Sequence, residues 1–270
     1  MAEWTIEEPT AIDVAERVTS VDVRVVAGHV DVVTTEGPAD DTGARVEVTS
    51  IEGPPLHVSV EHGRLTVAHE ELQWRGLLSW RLLSHEHRRA VVSVAVPREC
   101  QVSIGVVTAD AVVAGVNGRT QVRCVAGDVT LDNTVGDVEV QSVSGDVELR
   151  RVAGRVNLTT VSGELTLVDG RSGRVRAKSV SGDVTLDLHP FDPLRIDVTT
   201  VSGDLTVRVP ATTGFDVDVL SASGDIASAF DGVAPSRKPG VQRLTGRVGD
   251  GSGRVRGRSV SGGVSLLARA

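Results

Sequence analysis

Large aromatic side chains are almost missing from this sequence. Of its 270 residues only 2% are aromatic, with three tryptophans, three phenylalanines and no tyrosine. A core built around large rings is therefore excluded. Hydrophobic residues nevertheless reach 40%, mostly as valine and leucine, and there are 29 glycines. This composition is typical of short valine-rich strands separated by tight turns.

Lysine and cysteine are also scarce. Lys178 and Lys238 are the only lysines, and the net charge is −8. Phosphate backbones need a basic footprint, so this charge argues against a nucleic-acid partner. Two cysteines, Cys100 and Cys124, are too few for a disulfide framework, and we expect two small buried thiols.

The sequence lacks long apolar runs. No stretch approaches the roughly 18 apolar residues of a membrane-spanning helix, so none is predicted. Residues 1–8 are acidic and lack the basic flank and apolar run of a secretory signal. We therefore expect a cytoplasmic protein, with a membrane-peripheral location as the variant of that expectation.

What the sequence has instead is a nine-residue repeat. Seven units follow one another without a gap from Val106, and glycine recurs at every ninth position from Gly118 to Gly163. Positions 6 and 8 of a unit are apolar between polar neighbours, which indicates a strand with one buried face. Position 4 is the glycine, where the chain turns sharply. The valine at position 2 is expected to point back inward before that turn.

A longer period lies above the first. The fullest copies of the repeat start at 142, 160, 179, 200, 221 and 259, with spacings of 18, 19, 21, 21 and 38, and the last spacing is interpreted as two coils. One coil then takes two units, which predicts an all-β fold: a parallel β-solenoid of about 18–21 residues per coil, flattened into two facing sheets. Its predicted interior consists of Val143, Val147, Leu149, Val156, Leu158, Val161, Leu165, Leu167, Val180, Val184, Leu186, Val201, Leu205 and Val207.

The first 96 residues are less regular. Residues 21–33 are a degenerate copy of the repeat, residues 57–70 predict a hairpin that turns at His62 and Gly63, and residues 90–97 predict another strand. Such a region is expected to cap the open end of a solenoid, which would otherwise be an aggregation-prone edge.

These patterns predict one continuous domain with two parts. Residues 1–96 form an irregular N-terminal β cap with the first coils and an insertion loop at 71–89, and residues 97–270 form the solenoid repeats. Residues 230–240 are polar and contain proline, and are expected to form a loop.

Three kinds of segment carry a family resemblance. They are the serial SVSGDV, TVSGEL and TVSGDL elements, the VAVPREC strand end that enters the repeat, and the closing GDGSGRVRGRSVSGGVSL. Together they resemble the putative-adhesin β-strand-repeat family of bacteria, also called the toastrack domain, over roughly Thr19 to Leu267. The resemblance implies a non-enzymatic binding or scaffolding module, often linked with bacterial envelope-stress systems, and it brings no catalytic residues with it.

On one side of the predicted tube an acidic residue follows the glycine. On the other side the matching positions are Arg119, Asp137, Arg155 and Arg174. Either the carboxylates accept N–H bonds from the turns, or they form a ladder that binds a cation or a partner. Calcium is disfavoured, because calcium-binding nonapeptide repeats have several glycines and one apolar position per repeat. The candidate acidic edge ladder consists of Asp110, Asp128, Asp146, Glu164, Asp183, Asp204 and Asp225.

Residues 71–89 place apolar side chains among arginines, outside the repeat. Such a segment either folds back over the end of the solenoid or binds a partner or a membrane surface. His85 and His87 within it lack the further ligands that a metal needs. The candidate interface loop consists of Leu72, Trp74, Leu77, Leu78, Trp80, Leu82 and Leu83.

The sequence predicts an interaction or scaffold module with protein partners. No nucleophile elbow, phosphate loop or nicotinamide fingerprint is present, so no catalytic residue and no cofactor is predicted. Two alternatives stay open. One is a polysaccharide-active β-helix enzyme, which would need a cleft that collects carboxylates and a basic residue. The other is a structural protein that assembles through exposed strand edges.

Overall fold

The computed structural model describes residues 2–35, 43–69, 88–190, 193–238 and 241–269. These residues form strands and turns, and no helix occurs within the described ranges. This part of the chain therefore contains no helix that is long and apolar enough to cross a membrane. Two compact units are present, Met1–Asp128 and Val129–Ala270. The predicted boundary between cap and repeats at 96–97 stays a prediction.

The first unit combines long parallel strands with antiparallel ones. Its strands are β1 Ala2–Ile6, β2 Thr10–Val14, β3 Ser20–Thr34, β4 Ala44–Glu52, β5 Leu56–Glu61, β6 Arg64–His69, β7 Arg89–Val96, β8 Gln101–Ala114 and β9 Thr120–Ala126. Strand β3 pairs in parallel with β8 along almost its whole length, as expected for a degenerate copy of the repeat. Strands β1, β2 and β4 add antiparallel pairs with β5, β4 and β7.

Two local predictions for the first unit are confirmed. Strands β5 and β6 form an antiparallel hairpin in which Glu61 pairs with Arg64. The turn is made by His62 and Gly63, both with positive φ, at 51° and 78°. Strand β7 lies where the sequence predicts a strand at 90–97.

The second unit contains the regular repeats. Its strands are β10 Val129–Asp132, β11 Val138–Ser144, β12 Val147–Arg150, β13 Arg155–Ser162, β14 Leu165–Gly170, β15 Arg174–Ser181, β16 Val184–Leu188, β17 Arg195–Ser202, β18 Leu205–Pro210, β19 Phe215–Ser221, β20 Ile226–Ser228, β21 Ala234–Lys238, β22 Val241–Val248, β23 Gly253–Ser261 and β24 Val264–Arg269.

These strands form two parallel stacks. The first stack runs β11, β13, β15, β17, β23 and β19, and the second runs β10, β12, β14, β16, β18, β24 and β20. Equivalent positions pair with each other: Val156 pairs with Val175, and Val175 with Ile196. The chain therefore winds from one stack to the other and back, which confirms the predicted parallel β-solenoid.

The order of the last coils differs from the prediction. Strand β23 pairs in parallel with both β17 and β19, so the copy at 259 lies between the copies at 200 and 221. The spacing of 38 contains an excursion, because β22 runs antiparallel along β19 and β21 runs antiparallel along β22. The prediction of two sequential coils is therefore wrong, and so is the predicted loop at 230–240, which contains β21. This hairpin covers the edge of β19 that β23 does not.

The predicted interior is confirmed at ten positions and wrong at four. The ten confirmed side chains are at most 2% exposed. Val143, Val161, Val180 and Val201 are instead 42–49% exposed. Alternation in β13 explains the error, because Val156 and Leu158 point inward, Thr160 takes the next inward position, and the following valine must point outward.

Candidate functional site

The glycine bends align the coils closely. Gly163 and Gly182 have φ of 116° and 134°, a region that L side chains rarely adopt. A Cβ on Gly182 would lie 2.2 Å from the carbonyl oxygen of Gly163, and one on Gly163 would lie 2.2 Å from that of Gly145. Each bend therefore rests on the backbone of the preceding coil, which places the acidic residues that follow the glycines above one another.

Three carboxylates of the ladder in the second unit accept hydrogen bonds from backbone N–H groups. Asp146 Oδ1 accepts the N–H of Glu164 at 2.8 Å. Asp183 Oδ1 accepts the N–H of Asp204 at 2.7 Å, and Asp204 Oδ1 accepts that of Gly263 at 2.7 Å. Each aspartate thus fastens its own coil to the next one, and this hydrogen bond offsets the repulsion between neighbouring carboxylates.

The other ladder members of the second unit have different partners. Glu164 has a longer side chain, and its Oε1 accepts a hydrogen bond from Thr166 Oγ1 at 2.8 Å. Asp225 Oδ1 accepts one from Gln242 Nε2 at 2.9 Å. Among the described residues there is no group of three or more His, Cys, Asp or Glu side chains that could hold a metal. Binding of a cation or partner by the ladder stays a prediction.

The first unit contains two members of the candidate ladder, which are hydrogen-bonded to each other. Asp110 Oδ1 accepts the N–H of Asp128 at 2.9 Å. Both carboxylates lie near Cys124, whose pKa is raised to about 12, first by burial and then by these two charges. Burial likewise raises the pKa of Cys100 to about 12. The two cysteines are free and buried, as predicted, and are protonated at neutral pH.

The candidate interface loop lies outside the residues that the structure describes. Its members Leu72, Trp74, Leu77, Leu78, Trp80, Leu82 and Leu83 lie outside the described residues, as do His85 and His87.

The basic positions of the second unit form a column that the sequence revealed only in part. Arg155 pairs in register with Arg174, Arg174 with Arg195, and Arg195 with Arg254. The nine-residue pattern identifies only Arg155 and Arg174 of these four. Each of the four arginines stands eight residues before a bend glycine, so an alignment on these glycines would have revealed the whole column.

More cations lie beside this column on the same surface. We call the outward-facing residues of β13, β15, β17 and β23 the arginine face. Eight of its sixteen members are cations, Asp197 is the one carboxylate, and every member is exposed. The members are Arg155, Asn157, Thr159, Val161, Arg174, Arg176, Lys178, Val180, Arg195, Asp197, Thr199, Val201, Arg254, Arg256, Arg258 and Val260.

The charges of the arginine face are neutralised from within only in part, since Asp197 pairs in register with Arg176 and Arg256. Arg155 forms a salt bridge with Asp137 at 2.7 Å, and the other seven cations form none with any described residue. The next strand, β19, places Asp216 beside Arg254 and Asp218 beside Arg256. These two carboxylates also form salt bridges with Arg247 and Arg243, each at 2.8 Å. The hydrogen bond from Arg247 lowers the pKa of Asp216, and the charges of Arg247 and Arg254 lower it further. Unpaired like charges one strand spacing apart repel by about 1 kcal/mol or less in water.

Two open grooves flank the arginine column. One of about 690 Å³ is lined by Arg174, Arg195, Arg254 and Arg256, by the carboxylates of Asp197 and Asp216, and by the turn at Gly251–Gly253. The other, of about 490 Å³, is lined by Arg155, Arg174 and Arg195 together with Asp137 and Arg171. Arg155, Arg174 and Arg195 line both grooves, so their guanidinium groups are accessible, a geometry suited to carboxylate or phosphate groups.

An apolar row borders the arginine face. Val161, Val180, Val201 and Val260 are 46–54% exposed and follow one another on neighbouring strands. The residue before each valine is a buried Ser or Thr, and Thr160 Oγ1 donates to the carbonyl of Ser162 at 2.9 Å. The small hydroxyl side chain fits the inside of the corner, and the larger valine is left on the surface.

The sequence and the fold of this chain are similar to those of known proteins. The family model described as Toastrack DUF4097 matches residues 18–267. A solved putative adhesin from Bacteroides fragilis is 13% identical, with 96% of this chain and 98% of that chain covered and a TM-score of 0.53. A putative adhesin from Parabacteroides distasonis is 14% identical, with 96% and 97% covered and a TM-score of 0.51. These two likenesses show the fold alone. No curated protein matches this chain.

Proposed function

The chain belongs to the Toastrack family, and we propose that it is a non-enzymatic interaction and scaffold module that holds a partner against the arginine face. One observation carries this proposal. Seven exposed cations stand in register on a chain of net charge −8 without a salt bridge to any described residue. Their mutual repulsion destabilises the folded chain slightly, Asp197 and Asp216 offset it in part, and an anionic partner offsets the remainder.

A binding role agrees with the names of the two similar solved structures, both putative adhesins. We extend the proposal to bacterial envelope-stress or surface-related signalling, in which a rigid scaffold gathers its partners at a membrane. A cytoplasmic, membrane-peripheral location belongs to the same proposal, because anionic lipid concentrates on the cytoplasmic leaflet.

The chemistry of the buried titratable groups supports a non-catalytic role. The thiols of Cys100 and Cys124 are protonated at neutral pH, and the thiolate is the nucleophilic form of cysteine. Burial lowers the pKa of His69 to about 4, with the charge of Arg88 adding to the effect. This imidazole is therefore neutral near pH 7. Its pKa lies well below the value near the working pH that suits a general base.

Capture from an extract of the native organism tests the proposal. Arg195→Glu reverses one charge in the arginine column, and Arg150→Glu makes the same change of charge on β12 in the second stack. We expect material that is retained by the wild type and by Arg150→Glu, is lost with Arg195→Glu, and is recovered with unchanged mass. Equal retention by both variants would contradict the role of the face, and chemical conversion of the partner would contradict a non-enzymatic role.

A further inference from the structure

We propose that the partner of the arginine face is the surface of an anionic phospholipid bilayer, on which the second unit lies with this face down. The inference rests on the proposed function and names the partner of the same site. A bilayer presents phosphate groups over a plane, and guanidinium groups bind phosphate through two parallel hydrogen bonds.

The cations are spread over an area, which favours a planar partner over a linear one. Along one strand, β15, the outward residues Arg174, Arg176 and Lys178 are all cationic. Across the strands, the column from Arg155 to Arg254 covers three strand spacings. The basic area therefore measures about 14 Å across the strands, and the whole face about 20 Å along them. A single extended polyanion would contact one row and leave the others unused.

The valine row gives the face its second membrane feature. Val161, Val180, Val201 and Val260 point to the same side of the sheet as the cations, because residues two apart on a strand share a face. Peripheral membrane surfaces combine basic groups with an apolar border that enters the headgroup region. A soluble polyanion has no use for exposed valine.

Nucleic acid fits this surface less well. Single strands bind through aromatic side chains on which bases stack, and no member of the arginine face is aromatic. The net charge of −8 opposes any polyanion at long range. Charges farther away than about 8 Å are largely screened at physiological salt, so the seven local cations dominate close to a surface.

Flotation with vesicles tests the inference on the full chain. We expect the wild type to float with phosphatidylcholine vesicles that contain phosphatidylglycerol and to stay behind with phosphatidylcholine alone. Arg195→Glu should weaken binding about thirtyfold, since each charge near such a surface changes affinity about fivefold. Arg150→Glu, with the same change of net charge, should bind within about threefold of the wild type. Equal loss in both variants, or equal binding to neutral vesicles, would overturn the inference.

A second variant separates a membrane from a polyanion in solution. Val180→Ser with Val201→Ser keeps every charge of the face and should weaken vesicle binding several-fold, while binding of dextran sulfate or a single-stranded oligonucleotide is unchanged. If the valine variant floats as well as the wild type and a soluble polyanion binds more tightly than vesicles, the partner is not a membrane. If no vesicle binds but Arg195-dependent capture from the extract succeeds, the membrane inference fails and the proposed function stands. Failure of both removes the face as a binding site.

Discussion

Two columns of like charge repeat at the same strand spacing in Val129–Ala270, and they are held in different ways. The carboxylates of Asp146, Asp183 and Asp204 each accept a backbone N–H of the next coil at 2.7–2.8 Å. The guanidinium groups of Arg174 and Arg195 form no salt bridge with any described residue. Both columns come from the same repeat, so repetition alone does not separate a structural charge from a binding one.

Hydrogen bonding to the backbone distinguishes a structural charge from a binding one. A carboxylate that satisfies a backbone donor is part of the fold, and its removal leaves that donor without its partner. An exposed guanidinium without a protein partner contributes little to folding. We therefore assign the acidic column of the second unit to stability and the arginine column to binding.

The largest effect is expected from the bend that aligns the acidic column. In Gly182→Ala the new Cβ would meet the carbonyl oxygen of Gly163 at 2.2 Å, at a φ of 134°. We expect the free energy of unfolding to fall by about 3 kcal/mol or more, measured by urea denaturation. Ser181→Ala, at the exposed neighbouring position, should stay within about 0.5 kcal/mol of the wild type. A normal midpoint for Gly182→Ala would show that the bends do not stack so closely.

Asp187 is a third kind of carboxylate, and it sharpens the comparison because arginine side chains hold it. Its side chain is 5% exposed and is bound by Arg208 and by Arg269, the latter at 3.1 Å. Asp187→Asn should lower the free energy of unfolding by about 1–3 kcal/mol at neutral pH.

The effect of Asp187 should depend on pH. Burial alone would raise the pKa of Asp187, but the hydrogen bond from Arg208 and the charges of Arg208 and Arg269 lower it overall. A carboxyl whose folded pKa lies below the unfolded value of about 3.9 stabilises fully above that value and loses its contribution as pH falls through the folded pKa. The difference between wild type and Asp187→Asn should therefore shrink below about pH 4. A constant difference down to acid unfolding would contradict this assignment.

A smaller effect is expected from carboxylate length. Asp204→Glu should lose the hydrogen bond to the N–H of Gly263 and lower the free energy of unfolding by about 1 kcal/mol. Glu164→Asp is the reverse change, because Glu164 of the wild type accepts a hydrogen bond from Thr166 and not from the backbone of the next coil. It should raise stability by about 0.5 kcal/mol through a bond to the N–H of Asp183. Opposite signs in thermal denaturation would support the contrast, and equal signs would break it.

The smallest effect is expected at the exposed valines. Val180→Ser should change the free energy of unfolding by no more than about 0.5 kcal/mol, because the side chain is 49% exposed. Val175→Ser on the same strand removes a 1% exposed side chain and should cost at least about 2 kcal/mol. Similar losses in the two variants would mean that the valine row is buried.

The sequence predicted the winding of the chain because the winding depends on local rules. Glycine at position 4 and apolar residues at positions 6 and 8 set the bend and the buried face, and Leu165 and Leu167 are buried as predicted. The prediction for Val161 is wrong because it relies on the position of the bend rather than on alternation along the strand. Counting alternate residues from Val156 would have placed Thr160 inside and Val161 outside.

Long-range order was harder to predict. The spacing between the copies at 221 and 259 counts residues, but it does not say that β23 enters between β17 and β19. The ladder of carboxylates was identified from the repeat, whereas the full arginine face needed the register of four strands. Arg195 and Arg254 lie in coils that are lengthened by insertions, so the nine-residue period does not identify them.

One paired measurement tests the central claim that the acidic column serves the fold and the arginine column serves binding. Equilibrium unfolding in urea is compared for Asp183→Ala with Asp204→Ala and for Arg174→Ala with Arg195→Ala. We predict that the aspartate pair lowers the free energy of unfolding by about 2 kcal/mol and that the arginine pair changes it by no more than about 0.5 kcal/mol. A large loss for the arginine pair with none for the aspartate pair would contradict the account.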